Sequence, residues 1–224
     1  MHASLAIALC GACLASCLNG NAEPIVRLPG GSTVEAGAPA AAGDGGGGRC
    51  DPASPLVLHY DNQQVATGAT GIDFLFKVTN ATGASLALSS LAIRYYFTSE
   101  IAPPGAISVY YADTCCGNSR SGFTADVHVS ATAMPPTPTA DHYLETTFDA
   151  AAGELADGDS VQIEVGFHAP GFGQSLDQSN DYSFIASATG TQTQWDQCPT
   201  QCALFTSCVM TVYEDGVLVW GTPP

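Results

Sequence analysis

Val161-Gln162-Ile163-Glu164-Val165-Gly166-Phe167-His168 is the stretch on which the fold turns. Apolar residues occupy every second position, with polar or small residues between them. Side chains of an extended chain point alternately to opposite faces, so this is a strand with one face in a core. The same period recurs on both sides of it. Ile72, Phe74, Phe76 and Val78 alternate with Asp73, Leu75, Lys77 and Thr79. Leu91, Ile93, Tyr95 and Phe97 alternate with Ala92, Arg94, Tyr96 and Thr98. Phe123, Ala125, Val127 and Val129 alternate with Thr124, Asp126, His128 and Ser130. Shorter runs at 56–60, 142–148, 182–186, 209–213 and 217–220 bring the set to about nine strands. Turn chemistry separates them: Ala81-Thr82-Gly83, Pro103-Pro104-Gly105, Asp157-Gly158-Asp159 and Asp215-Gly216. Asp215-Gly216 sits between two adjacent apolar runs and reads as a tight hairpin. No stretch carries a sustained apolar stripe at helical spacing. The expected fold is all-β, an antiparallel two-sheet sandwich of the jelly-roll kind.

Residues 1–49 have a different character. Met1 to Cys17 is an apolar run of Ala, Leu and small residues, too short to span a bilayer, and reads as the core of a signal peptide. It ends Leu14-Ala15-Ser16-Cys17, which looks like a bacterial lipobox, so residues 1–17 are expected to be a lipoprotein-type signal with Cys17 as the lipid anchor. Ordinary cleavage near Ser16 without a lipid is the simpler alternative. Residues 18–49 are rich in Gly, Ala and Pro and bury too little apolar surface to offset the entropy of ordering, so they are expected to form a flexible linker. The folded domain is expected over residues 50–224. The protein is therefore expected to be exported and either tethered to the cell envelope by its lipid or secreted.

The chain has 224 residues, with 21 Asp and Glu against 5 Lys and Arg, a net charge of −16. Such a surface repels phosphate backbones and lacks a basic stripe, which excludes a nucleic-acid role. Of the nine cysteines, Cys10 and Cys13 fall in the signal and Cys17 takes the lipid. Cys50, Cys115, Cys116, Cys198, Cys202 and Cys208 remain as disulfide candidates, an even set suited to an exported protein. A zinc site on Cys198, Cys202 and Cys208 is the rival, but its spacing is looser than the paired ligands zinc usually takes. Spacing does not choose the pairing.

Four segments carry a family resemblance: Leu91-Ala92-Ile93-Arg94-Tyr95-Tyr96-Phe97-Thr98, Pro138-Thr139-Ala140-Asp141-His142-Tyr143-Leu144-Glu145, Asp177-Gln178-Ser179-Asn180-Asp181-Tyr182-Ser183-Phe184, and the C-terminal stretch from Asp215-Gly216 to Pro223-Pro224. In this order and spacing they resemble family 3 carbohydrate-binding modules of cellulases and cellulosomal scaffoldins, over about residues 56–224. The resemblance implies a nine-stranded jelly roll, a structural calcium ion and polysaccharide, cellulose above all, as ligand. It also implies separate glycoside hydrolases as partners.

The family holds calcium with a Thr-x-Asp and a Thr-x-x-Asn-Asp segment. The matching positions are Thr98 and Glu100, then Asp177, Asn180 and Asp181. Glu100 stands where Asp is usual and Asp177 where Thr is usual, and both still offer oxygen, as a hard cation requires. The family's cellulose-binding strip transfers less fully. Ala112 and Asp113 fall at its Asp-His pair, Phe123 near its Tyr, Gly166 at its Arg and Phe172 at its Trp. Tyr110 and Tyr111 are candidate substitutes, of which alternation lets one face outward. Cys115-Cys116 has no counterpart in the family pattern. The competing expectation is a structural or protein-interaction module that kept the fold and lost the strip.

Catalysis is not expected. His59, His128, His142 and His168 are scattered singly, and no Gly-x-Ser-x-Gly, His-Glu-x-x-His or phosphate-cradling loop occurs.

Overall fold

The computed structural model describes residue 50 and residues 54–66, 68–101, 107–115, 123–191 and 205–224, with 107–115 as backbone. They lie in one compact unit. Its strands are β1 (Leu56–Asn62), β2 (Gly71–Asn80), β3 (Leu86–Ala87), β4 (Leu91–Phe97), β5 (Ile107–Cys115) and β6 (Val127–Ala133). They continue with β7 (His142–Phe148), β8 (Glu154–Leu155), β9 (Ser160–His168), β10 (Thr211–Glu214) and β11 (Val217–Trp220). The signal, the linker and Cys17 fall outside the described residues. Among those described, no helix is long and apolar enough to cross a membrane.

A four-stranded sheet in the order β1-β2-β9-β5 faces a five-stranded sheet in the order β11-β10-β4-β7-β6, and every pair is antiparallel. The short strands β3 and β8 make a separate ribbon. This is the all-β sandwich expected from the period-two pattern. The apolar phase of each strand fills the space between the sheets: Leu58, Tyr60, Phe74, Phe76, Ile163 and Val165 from one, Ile93, Tyr95, Phe97, Leu144 and Val212 from the other. Phe74 and Tyr95 stack across the interface with ring centroids 4.4 Å apart. Each fully buried large apolar side chain contributes about 1.5–3 kcal/mol, so this layer dominates the stability of the fold.

The Asp215-Gly216 hairpin forms between β10 and β11, with φ of 48° and 78° at the two residues. Consecutive left-handed residues are what a two-residue primed turn demands, and Asp and Gly adopt them at low cost. The chain then closes on Trp220, fully buried, whose Nε1 donates to the Ser207 carbonyl at 2.7 Å. Cys50 and Cys208 form a disulfide with Cα atoms 5.2 Å apart, which tethers the start of the domain beside its C-terminal hairpin. That bond removes Cys208 from any zinc site. Cys116, Cys198 and Cys202 lie outside the described residues.

Several strand assignments change, and the short strands β3 and β8 are additional to the expected set. Residues 182–186 lie in turns and irregular chain, although the short apolar run reads as a strand. The Ser183 N–H donates to the Tyr96 carbonyl at 3.1 Å, and Ser183 Oγ accepts from the Tyr96 N–H at 2.8 Å, so these backbone groups are satisfied without a ladder. The run expected to start at Phe123 opens instead with a 3-10 turn at Thr124–Asp126, and β6 starts at Val127. Finally, β5 lies where the pattern names no strand, because a register shift between Val109 and Tyr111 breaks its alternation.

Candidate functional site

The register fixes which residues share the outer face of the four-stranded sheet. His59 pairs Lys77, which pairs Gln162; Asp61 pairs Leu75, which pairs Glu164; Asp73 pairs Gly166. On β5, Tyr111 is the register partner of Glu164 and Asp113 of Gln162, whereas Tyr110 sits at the irregularity without a partner. Tyr111 and Asp113 thus occupy the rows of the outer face and Ala112 the alternate row. Phe123 is a correction: it is 2% exposed and packs in the core, so it belongs to no surface.

Much of this face is buried. Lys77 is fully buried and His59 is 3% exposed; Asp61 and Leu75 are buried as well. Leu75 forms a second apolar cluster with Phe205, and the chain at 205–207 lies along β1. Tyr60 N donates to the Phe205 carbonyl and Ser207 N to the Leu58 carbonyl, with a bridge between His59 and Thr206. Burial, with Lys77 adding repulsion, pulls the His59 pKa down to about 4, so the ring is held neutral.

At the other end the face opens. A cavity of about 250 Å³ is lined by Gln63, Gln64, Thr70, Asp73, His168 and Phe172 among others. Phe172 is 59% exposed and stacks on His168 with centroids 3.9 Å apart and planes 16° from parallel. His168 Nδ1–H donates to the Ala169 carbonyl at 2.8 Å, which fixes the ring under Phe172. Phe172 has φ of 56°, a left-handed conformation that costs an aromatic residue about 1–2 kcal/mol and aims its ring outward. Asp73 is pushed up to about 6, by burial first and by Glu164 second, and its Oδ1 is buried without a partner.

Two loops hold this end together. Gly68 N donates to the Leu176 carbonyl at 3.0 Å and Leu176 N to the Ala69 carbonyl at 2.8 Å. The fully buried Gln178 donates through Nε2 to the Gln64 and Ala66 carbonyls. The residues just beyond are those expected to bind calcium. Thr98 N donates to Asp181 Oδ1 at 2.9 Å, Tyr95 Oη to Asp181 Oδ2 at 3.1 Å, and Asn180 Nδ2 to Glu100 Oε1 at 3.2 Å. The Asn180 Oδ1 acceptor is buried with no partner. Burial pushes the Asp181 carboxyl up to about 8, and Glu100 and Asp177 push in the same direction against the two hydrogen bonds. Among the described residues no group of three His, Cys, Asp or Glu side chains converges as a metal cage. A cation here would have to draw on neutral oxygens beside the carboxylates, and the orphaned Asn180 Oδ1 fits that requirement.

The sequence reading missed a second polar–aromatic surface, on the outer face of the five-stranded sheet. Arg94 lies between two rings, its Cζ 4.4 Å from the Tyr143 centroid and 4.3 Å from that of Tyr213, and its Nε donates to Glu145 Oε2 at 2.7 Å. Tyr96 Oη is 2.9 Å from Thr211 Oγ1 and 3.2 Å from Tyr213 Oη. The available signal was aromatic residues in the polar phase of three strands.

A family model described as the cellulose binding domain matches residues 57–221. The chain is 33% identical over 171 residues to cellulosomal-scaffolding protein A of Acetivibrio thermocellus, covering 75% of this chain but 8% of that protein. It is 31% identical over 174 residues to a xyloglucanase of Paenibacillus, covering 77% of this chain and 15% of the enzyme. Among solved structures, a family IIIa module from Clostridium cellulolyticum superposes with a TM-score of 0.65 at 27% identity, over 76% of this chain and 98% of that one. The module with flanking linkers from a Clostridium thermocellum scaffoldin gives 0.65 at 30% identity, over 76% and 92%. The family is a non-catalytic binding module. With the family model matched over 165 residues and solved modules of the family superposing over about three quarters of the chain, the chain belongs to the family 3 carbohydrate-binding modules.

Proposed function

We propose that this domain binds polysaccharide of the β-glycan class, cellulose or a relative, without acting on it, and does so from an exported, lipid-tethered position. The observation that carries the proposal is Phe172, a large ring held 59% exposed on top of His168 at the mouth of a polar cavity. Sugar rings present apolar C–H faces that an exposed aromatic removes from water, while neighbouring amides and carboxylates take the hydroxyls. The family resemblance of the sequence also implies an aromatic of the binding strip at Phe172. The scaffoldins and cellulases among the relatives favour action alongside separate glycoside hydrolases.

Calcium belongs to the same proposal. Thr98, Glu100, Asp177, Asn180 and Asp181 would hold the ion, which would neutralise the buried Asp181 and clamp the segment that follows the Phe172 loop. The tether rests on Cys17 and the Gly-rich linker. Depletion of the protein from solution by microcrystalline and by swollen cellulose, with and without calcium, tests the proposal. No depletion in any condition would refute it.

A second reading, an interaction module for protein partners, is favoured by one observation: Arg94 sandwiched between Tyr143 and Tyr213 on the opposite sheet. Stacked Arg and Tyr are the residues that most often anchor protein interfaces. No binding to any polysaccharide, together with capture of a protein partner that Tyr143→Ala abolishes, would favour this reading over the first.

A further inference from the structure

We infer that the open end of the four-stranded sheet takes a single hydrated glycan chain or a chain end, and not the flat face of a cellulose crystal. This rests on the polysaccharide-binding proposal and narrows its ligand.

Binding to a crystal face needs a broad, level surface, because the lattice cannot bend to meet a protein. Here the middle rows of the outer face are not bare. His59, Asp61, Leu75 and Lys77 all point outward by register and all are buried. Phe205 packs on Leu75, and the chain at 205–207 extends the sheet edge beside β1. A sheet face built over in this way presents a step where a lattice needs a plane.

Among the described residues, the part of this face that remains open is concave. The cavity of about 250 Å³ is small against the roughly 300–1,000 Å³ of typical ligand pockets, so it encloses about one sugar ring and not an extended row. Its walls carry the two chemistries that a sugar ring requires. The exposed Phe172 ring, supported by His168, offers an apolar platform. Gln63, Gln64 and Thr70 offer amide and hydroxyl groups, and the Asp73 Oδ1 atom is a buried acceptor without a partner. An unpartnered buried acceptor costs stability and is relieved by a ligand hydroxyl that donates to it. Chains in amorphous or soluble glycan expose both ring faces and their hydroxyls to such a cavity; chains locked in a crystal face expose one.

Three ligands decide the matter: cellohexaose in solution by calorimetry, and phosphoric-acid-swollen and microcrystalline cellulose by depletion. The inference requires binding to the first two with little or none to the third. Phe172→Ala should weaken cellohexaose binding about tenfold or more, and Phe172→Trp should retain it. Asp73→Asn should weaken binding without lowering the melting temperature. Equal binding to microcrystalline cellulose that is indifferent to Phe172→Ala would overturn the inference and leave polysaccharide binding intact. Failure to bind all three, with variants that melt like the wild type, would overturn both.

Discussion

Replacing the cysteines of the Cys50–Cys208 disulfide with serine should lower the melting temperature of this domain substantially, and the size of the loss follows from topology. The bond closes a loop with a sequence separation of 158 residues, from ahead of β1 to just before β10. In the chain-entropy account a cross-link acts on the unfolded ensemble, and a loop of this length is worth about 5 kcal/mol. For a domain of this size that corresponds to a drop of about 10–20 °C. Cys208 is exposed and Cys50 partly so, which keeps the packing cost of serine small and leaves the loop term as the main contribution. Thermal and urea unfolding of the Cys50→Ser/Cys208→Ser variant, followed by circular dichroism, reads both temperature and denaturant dependence. The variant should also show a steeper urea dependence, since its unfolded chain is less compact. A shift of under about 2 °C with unchanged urea dependence would refute the reasoning.

Other perturbations follow from the same geometry. Chelating calcium should lower the melting temperature by about 5–10 °C relative to protein with calcium at a hundredfold excess over its dissociation constant, and Asp181→Asn should abolish the difference; superimposable melting curves would remove calcium from the account. His59 is held near a pKa of about 4 against 6.5 when free, so its contribution is fully present above pH 6.5 and is lost as pH falls through 4. The loss is about 3 kcal/mol, read as the difference between wild-type and His59→Leu urea stabilities at pH 7 and pH 4. Gly221 has φ of 79°, and a Cβ there would lie 1.9 Å from the Met210 carbonyl oxygen. Gly221→Ala should therefore cost several times the roughly 1 kcal/mol of Gly83→Ala, where φ is 81° and the space is open, as chemical denaturation of the pair would measure.

The strands that were legible in the sequence are those whose alternation runs unbroken. The pattern at Val161 to His168 became the central strand β9, paired on both sides, because a strand packed against a core must keep its apolar phase. The bulge after Val109 concealed β5, since one irregular residue exchanges the two phases. The short apolar run at 182–186 reads as a strand, yet Ser183 and Tyr96 settle its hydrogen bonds in turns. Phe172 was legible through family resemblance, and its exposure agrees with a surface role. Phe123 misled because exposure of an aromatic depends on what packs over it, which no local pattern records. Arg94, Tyr143 and Tyr213 come together only through cross-strand register, with Glu145 51 residues from Arg94. The covering of Leu75 is likewise a long-range event, made by Phe205.

The measurement that bears most directly on the account is the affinity of the domain for a soluble β-glycan oligosaccharide, by calorimetry, for the wild type and for Phe172→Ala. The account predicts binding in the wild type and at least a roughly tenfold loss on removal of the ring. Wild-type binding that the substitution leaves untouched would contradict it, by showing that the exposed ring stacked on His168 is not the surface that meets the sugar.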